Sequence, residues 1–253
     1  MVNAEPDAAL YKATPQPERR LYVQAHVWDQ TDLPESFLLT AVSWEQDAVA
    51  KWYLIKGLGI LHSKEAVEPL VTVCESPDVD FHNTSLHAIS AWALGRIGEP
   101  AANRILMLLA NREPYTRKCA VDALGEIGAP AFVDMLVTAL RTDVDEVQLW
   151  AGLSLAKLGA TSVAAIDQLL IEVSDQRTRL IAIDALLKIG HASRLALKRL
   201  LRCATVEEQI FILGSSYPFS VEFIDELKIL CNSTNSEVSS LAVQILKELQ
   251  SSN

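Results

Sequence analysis

Several things are scarce in this chain, and each scarcity removes a class of protein. Aromatic residues make up only 6% of the 253 residues, too few for a sheet-rich core built on large side chains. Cations are outnumbered, 22 Lys and Arg against 32 Asp and Glu, for a formal charge of −10. That field repels nucleic acid and anionic lipid, so neither is expected as a partner. The four cysteines, Cys74, Cys119, Cys203 and Cys231, stand far apart with no C-x-x-C and no histidine at zinc-finger spacing, which argues against a structural zinc site. Three of them sit in apolar helical surroundings and read as reduced core residues. No apolar run approaches the roughly 20 residues of a membrane span. Met1 to Gln16 lacks the charged-then-apolar order of a secretory signal. The expectation is a cytoplasmic protein in a reducing compartment. Phosphate loops, G-x-S-x-G elbows, H-E-x-x-H helices and dinucleotide fingerprints are all missing, so no catalytic residue and no intrinsic cofactor or metal is assigned.

What is present is a repeat. Half of the residues are hydrophobic, and one phrase recurs: Ala91-Trp92-Ala93-Leu94-Gly95-Arg96-Ile97-Gly98, then Val121-Asp122-Ala123-Leu124-Gly125-Glu126-Ile127-Gly128. Looser copies close at Gly159 and Gly190, an earlier one runs Lys56 to Leu61, and a last one Gln244 to Leu249. A degenerate copy spans Val206 to Tyr217, with Ser215 where the first glycine of the phrase belongs. Self-similarity at about 30 residues is the mark of a stacked array in which no unit can bury its apolar face alone.

Each copy divides into two helical halves with apolar residues at three- and four-residue steps. In the most regular copy, Pro100 to Ala110 is the first half and Tyr115 to Ile127 the second, with Ala120, Ala123, Leu124 and Ile127 as its inner stripe. Asn111 to Pro114 breaks the helix, because proline has no amide donor and disfavours helix before it. Gly128 supplies the left-handed closing cap. Gly95 and Gly125, unfavourable inside a helix by about 1 kcal/mol each, are explained by close approach of neighbouring helices. The predicted fold is all-α, an α-solenoid superhelix of about seven helix pairs, with the helix carrying Ala120 to Ile127 on its inner face.

This phrase resembles the HEAT-like repeat of the cyanobacterial phycobilin lyases, over roughly residues 41 to 250. The longer aromatic phrase of the larger lyase subunit is present in part, as Lys51-Trp52-Tyr53-Leu54 and Ser90 to Gly95, and the Tyr-His-Cys-His motif of the isomerising relatives is absent. The resemblance implies an activity, helping to attach a linear tetrapyrrole such as phycocyanobilin to a phycobiliprotein cysteine or to remove it. It implies as partners a phycobiliprotein subunit and a second lyase-like subunit. A related cyanobacterial HEAT-repeat protein implies a different role, a non-catalytic scaffold that binds and stabilises an A-type iron–sulfur carrier. HEAT repeats commonly place an arginine early in the second helix. Arg117 and Arg179 match that place, while His87 and Gln148 depart from it. In the family the second helices line the concave face, so Trp92, Asp122 and Asp184 are expected to look into a groove, where a carboxylate can accept a pyrrole N–H.

Irregularities supply the other candidates. The copy between residues 59 and 95 is about five residues longer than the rest, and its extra segment, Cys74 to His87, carries His82, Asn83 and His87 beside Asp78 and Asp80. Such insertions form loops on one face and often bind. The histidines either bond locally, with Asp80 or Asn83 capping a helix opened by Thr84 and Ser85, or contact a ligand or partner; spacing of i,i+5 does not set them on one helical face. Trp92 and Arg96, four apart on one face, are the side chains most suited to a partner site beside this segment. Trp44, Trp52, Trp92 and Trp150 either pack in the core or recognise a ligand. Asp122, Glu126 and Asp184 either form a solvated face or line the groove. Four prolines before residue 36 mark an extended arm with one cap helix around Arg19 to Asp29, leaving residues 37–253 for the repeats.

Overall fold

The computed structural model describes residues 6–77, 80–81 and 84–251. The protein is an all-α solenoid of paired helices. Two short helices come first, α1 (Ala8–Ala13) and α2 (Glu18–His26). Seven pairs follow: α3 (Glu35–Trp44) with α4 (Ala48–Ile60), α5 (Val67–Glu75) with α6 (Leu86–Ile97), α7 (Glu99–Leu109) with α8 (Pro114–Ile127), α9 (Val133–Thr142) with α10 (Asp145–Leu158), α11 (Val163–Glu172) with α12 (Gln176–Ile189), α13 (Arg194–Cys203) with α14 (Val206–Leu213), and α15 (Ile224–Leu230) with α16 (Ser236–Ser251). They form two compact units, residues 1–129 and 130–253.

In the first unit the second helices α4, α6 and α8 stack side by side, and α5 packs against α7 to make the other layer. The second unit repeats the scheme with α10, α12, α14 and α16 in one layer, while α9 meets α11 and α13 meets α15 in the other. The core between layers is aliphatic. Leu94, Ala120, Leu124, Ile105 and Leu70 are fully enclosed in the first unit, and Leu136, Leu155, Leu186 and Leu197 in the second.

Local chemistry sets the boundaries. Pro114 opens α8 after the extended Glu113, where its missing N–H costs nothing. Gly98, Gly128, Gly159 and Gly190 close α6, α8, α10 and α12 at φ between +63° and +79°. The stretch Asp145–Glu172 is apolar enough to resemble a membrane span, with mean hydropathy 1.4, but the chain turns at Gly159 and folds it as two helices.

Close approach explains the glycine inside α6. A Cβ on Gly95 would strike the Cβ of Glu126 on α8. Gly95→Ala should therefore destabilise by about 1–3 kcal/mol through overpacking, although alanine is the better helix former. Urea unfolding with an unchanged m-value checks this; an equal or higher midpoint would remove the close-packing account.

Four expectations are corrected. The N-terminal arm is not extended: Asp7 caps α1, whose Tyr11 is buried and packs edge-on to Phe37 of α3. The helix expected over Arg19 to Asp29 runs Glu18–His26. Helix α6 is capped by Ser85, which accepts from the Ala88 N–H; Thr84–Ser85 (β2) pairs instead with Asp80–Phe81 (β1) as a small antiparallel ladder. Finally, Cys74 and Cys119 are core residues as expected, yet they are disulfide-bonded, not reduced. They lie 45 residues apart in sequence and 6.0 Å apart at Cα, because stacking brings α5 against α8. Cys203 is exposed and Cys231 half-buried, both unbonded.

Candidate functional site

The site begins with the position eleven residues before each closing glycine, which serves one structural task with different side chains. Counting back from the closing glycines 98, 128 and 190, the same place holds His87, Arg117 and Arg179. His87 Nε2 donates to the Ser76 carbonyl at 2.7 Å, Arg117 donates to the Asn111 and Arg112 carbonyls at 2.9 and 2.8 Å, and Arg179 donates to the Leu170 and Val173 carbonyls. Each ties the second helix to the chain leaving the first and satisfies carbonyls that a helix end leaves without partners. Arg179 also grips Glu208 of α14 at 2.5 Å. Burial pushes the Glu208 carboxyl up, but Arg179 and the Thr205 N–H outweigh it and hold it below the usual glutamate value.

His87 is therefore buried and occupied, its ring stacked on Tyr115 of α8 at 5.5 Å. It borders a cavity of about 170 Å³ with Glu45, Lys51 and Leu86. His82 and Asn83 lie outside the described residues.

Trp92 and Arg96 share one face of α6 and meet the end of α4. Trp92 is half-buried over Gly59, where a Cβ would come within 2.6 Å of its Cζ3. Arg96 is exposed; its guanidinium donates to His62 Nε2 at 3.2 Å, while His62 Nδ1 donates to the Arg96 carbonyl. Both bonds require the neutral imidazole with its proton on Nδ1. Asp122 of α8 is buried and Glu126, one turn on, is half-buried beside Gly95. Asp184 belongs to the second unit, pairs with Lys188 on its own helix, and lines a cavity of about 500 Å³ with Phe211 and Tyr217. An adjoining cavity of about 410 Å³ shares Gly214, Ser215, Tyr217 and Pro218 and reaches Leu241 and Ile245. Both cavities border the degenerate copy, where α14 stops at Leu213 and a loop replaces its last turns.

The structure thus gathers His87, Trp92 and Arg96 on α6 with Asp122 and Glu126 on the adjacent α8, and places Asp184 in the other unit. Two residues were not singled out from sequence. Trp28, in the loop after α2, is 64% exposed and lies against Lys56, whose ammonium is 4.9 Å from its ring centroid and 5.6 Å from that of Trp52. His62 has φ +52° and occupies the place that Gly98, Gly128, Gly159 and Gly190 fill in later repeats. Aligning the closing glycines would have exposed that departure. Among the described residues no group of three or more histidine, cysteine or acidic side chains is placed to hold a metal.

The family model described as HEAT repeats matches residues 82–156. A search of curated proteins gives no match. Among solved structures, the chain is similar to one from the complex of CpcE and CpcF of phycocyanin lyase from Nostoc sp. PCC7120, at 18% identity and TM-score 0.41, covering 98% of this chain and 97% of that one. It is also similar to an engineered protein, at 20% identity and TM-score 0.36 over 83% and 94% of the two chains. A designed armadillo repeat protein matches at 16% identity and TM-score 0.32 over 82% and 97%. Helices α6 to α10, with the segment that leads into them, are the part of the chain that reads as HEAT repeats.

Proposed function

We propose that this chain is a protein-binding repeat module of the phycobilin-lyase type, which engages a phycobiliprotein subunit, together with a second lyase-like subunit, while a linear tetrapyrrole is attached or removed. The observation that carries the binding role is the layer of second helices in the first unit, on which α6 holds Trp92 half-exposed and Arg96 exposed beside Glu126 of α8. Tryptophan and arginine are the residue types most enriched among the side chains that dominate protein interfaces. The lyase reading adds the repeat phrase itself and the carboxylates on the second helices. Of these, Glu126 and Asp184 reach the surface and suit a pyrrole N–H, whereas Asp122 is buried at 7% exposure.

The rival role is that of a scaffold that holds an A-type iron–sulfur carrier by protein contacts. The two separate cleanly. The purified chain is mixed in turn with phycocyanobilin, an apo-phycobiliprotein subunit and an A-type carrier, and each mixture is resolved by size exclusion with absorbance recorded across the visible range. Bilin absorbance or an apo-subunit co-eluting with the chain is the expected result. Stoichiometric co-elution with the carrier alone assigns the scaffold role, and elution free of all three removes both.

A further inference from the structure

In α4, Trp52, Lys56 and Gly59 fall at i, i+4 and i+7, one stripe along one face. Trp28 lies on Lys56 from one side, and Trp92 lies on Gly59 from the next helix. The stripe ends at the His62–Arg96 pair. We propose that this strip, Trp28, Trp52, Lys56, Trp92 and Arg96, is a docking surface for an extended acidic segment of a partner protein. The proposal rests on the protein-binding reading and names the chemistry of what is bound.

Charge is the first argument. Residues 1–129 hold 17 carboxylates against 11 Lys and Arg, and three of those cations pair with one: Arg19 with Glu45, Arg20 with Asp47, Arg104 with Glu68. Lys56 and Arg96 do not. Among the described residues the partners of Lys56 are two indole faces and that of Arg96 is an imidazole. A cation held by aromatic faces keeps its charge available, because a ring quadrupole attracts without neutralising. Two cations left uncompensated in an acidic unit match a carboxylate-bearing ligand, and the indoles between them offer apolar contact for the side chains that alternate with those carboxylates.

His62 is the second, independent argument. Where later repeats use glycine, this repeat uses a residue that L side chains adopt only at a cost in the left-handed region. The Ser63 N–H bonds the Leu58 carbonyl and the His62 N–H that of Gly59, the same closing geometry that a glycine makes without strain. What histidine adds is the two-point hold on Arg96. The left-handed backbone closes the helix as glycine does in later repeats, and the histidine side chain placed there also holds the one exposed guanidinium on the strip. The cavities described above are lined by other residues, which sets this surface apart from them and suits a macromolecular partner more than an enclosed small molecule.

The test uses the full chain as bait for a display library of random twelve-residue peptides, with the variant Lys56→Glu/Arg96→Glu as counter-selection. Peptides that bind the wild type and not the variant should be acidic, with a net charge of −2 or lower and at least one aromatic or large aliphatic residue. Their affinity should fall more than tenfold with Lys56→Glu alone and with Trp28→Ala, and recover with Lys56→Arg, while the melting temperature of Lys56→Glu stays within a few degrees of wild type. Should Trp28→Ala fail to fold, Lys56→Gln carries the same expectation. Neutral or basic peptides, no peptides that depend on the strip, or losses that follow melting temperature would each overturn the proposal. So would biliverdin binding that quenches the indoles and is abolished by Lys56→Glu while no acidic peptide binds. A chain that selects acidic peptides here yet ignores phycobiliprotein refutes the lyase reading and leaves the strip standing.

Discussion

Leu124→Ala should cost about 2–5 kcal/mol, the range for truncating a fully enclosed leucine in a core that relaxes only in part. Leu124 is 0% exposed, in the middle of α8, which packs on α6 and on its own partner α7. In a stacked array stability is close to a sum of repeat terms and nearest-neighbour terms, so a cavity weakens its own repeat and the ones it touches before distant ones. Native-state hydrogen exchange should show protection falling in α6, α7 and α8, with α14 to α16 close to wild type. Equal loss in all helices would mean that the chain unfolds as one cooperative block and the repeat description has no energetic content.

That this residue could be chosen from the sequence shows what the repeat made legible. Three- and four-residue apolar steps with glycines at a fixed phase define where a helix is enclosed and where it ends, and those are local facts; α7, α8 and the turn at Gly128 fall within a residue of their expected bounds. The departures are all non-local or compensatory. Nothing in a separation of 45 residues reveals that Cys74 meets Cys119; only the stacking of successive repeats does. The sequence leaves His87 open between a local hydrogen bond and a ligand or partner contact; it makes the local bond, donating to a carbonyl as Arg117 does. His62 was hidden because its oddity is a backbone angle, visible in sequence only against the four glycines that follow. Of the candidate side chains, Trp92 and Arg96 reach the surface of α6, while Trp28, exposed against Lys56 of α4, lies in a segment with no repeat phrase to draw attention to it.

The N-terminal helices are where the next largest effect is expected. Glu45 follows α3 and is 0% exposed. Its carboxylate accepts from the Tyr11 hydroxyl at 3.0 Å, from Arg19 at 3.0 and 3.1 Å, and from the N–H groups of Gln46 and Asp47. One buried anion thus ties α1 and α2 to the start of the array. Arg19 is 18% exposed on its side chain, so the pair is shielded from solvent and its loss is not that of a surface ion pair. Glu45→Gln should destabilise by about 3 kcal/mol, because the guanidinium and the two N–H groups keep their burial and lose the charge they were arranged around. Burial pushes the Glu45 carboxyl up, but the Asp47 N–H, Arg19 and Tyr11 outweigh it and hold it below the usual glutamate value. A carboxyl depressed in the folded state contributes stability that is whole above its unfolded value and is lost as pH falls through the folded one. Tyr11 is raised by burial and then by Glu45, so its contribution is whole below the unfolded tyrosine value and fades only in alkali. Urea midpoints should therefore fall for wild type between about pH 5 and pH 3, with Trp44, under Lys12 and Arg19, as a local fluorescence probe. In Glu45→Gln that acid slope should be shallower by one carboxylate, the remainder coming from Asp47, Glu172, Asp175 and Glu208, which are depressed as well. An acid slope identical in the two proteins would show that Glu45 titrates alike folded and unfolded, and that the ion pair with Arg19 does not hold the N-terminal helices in place.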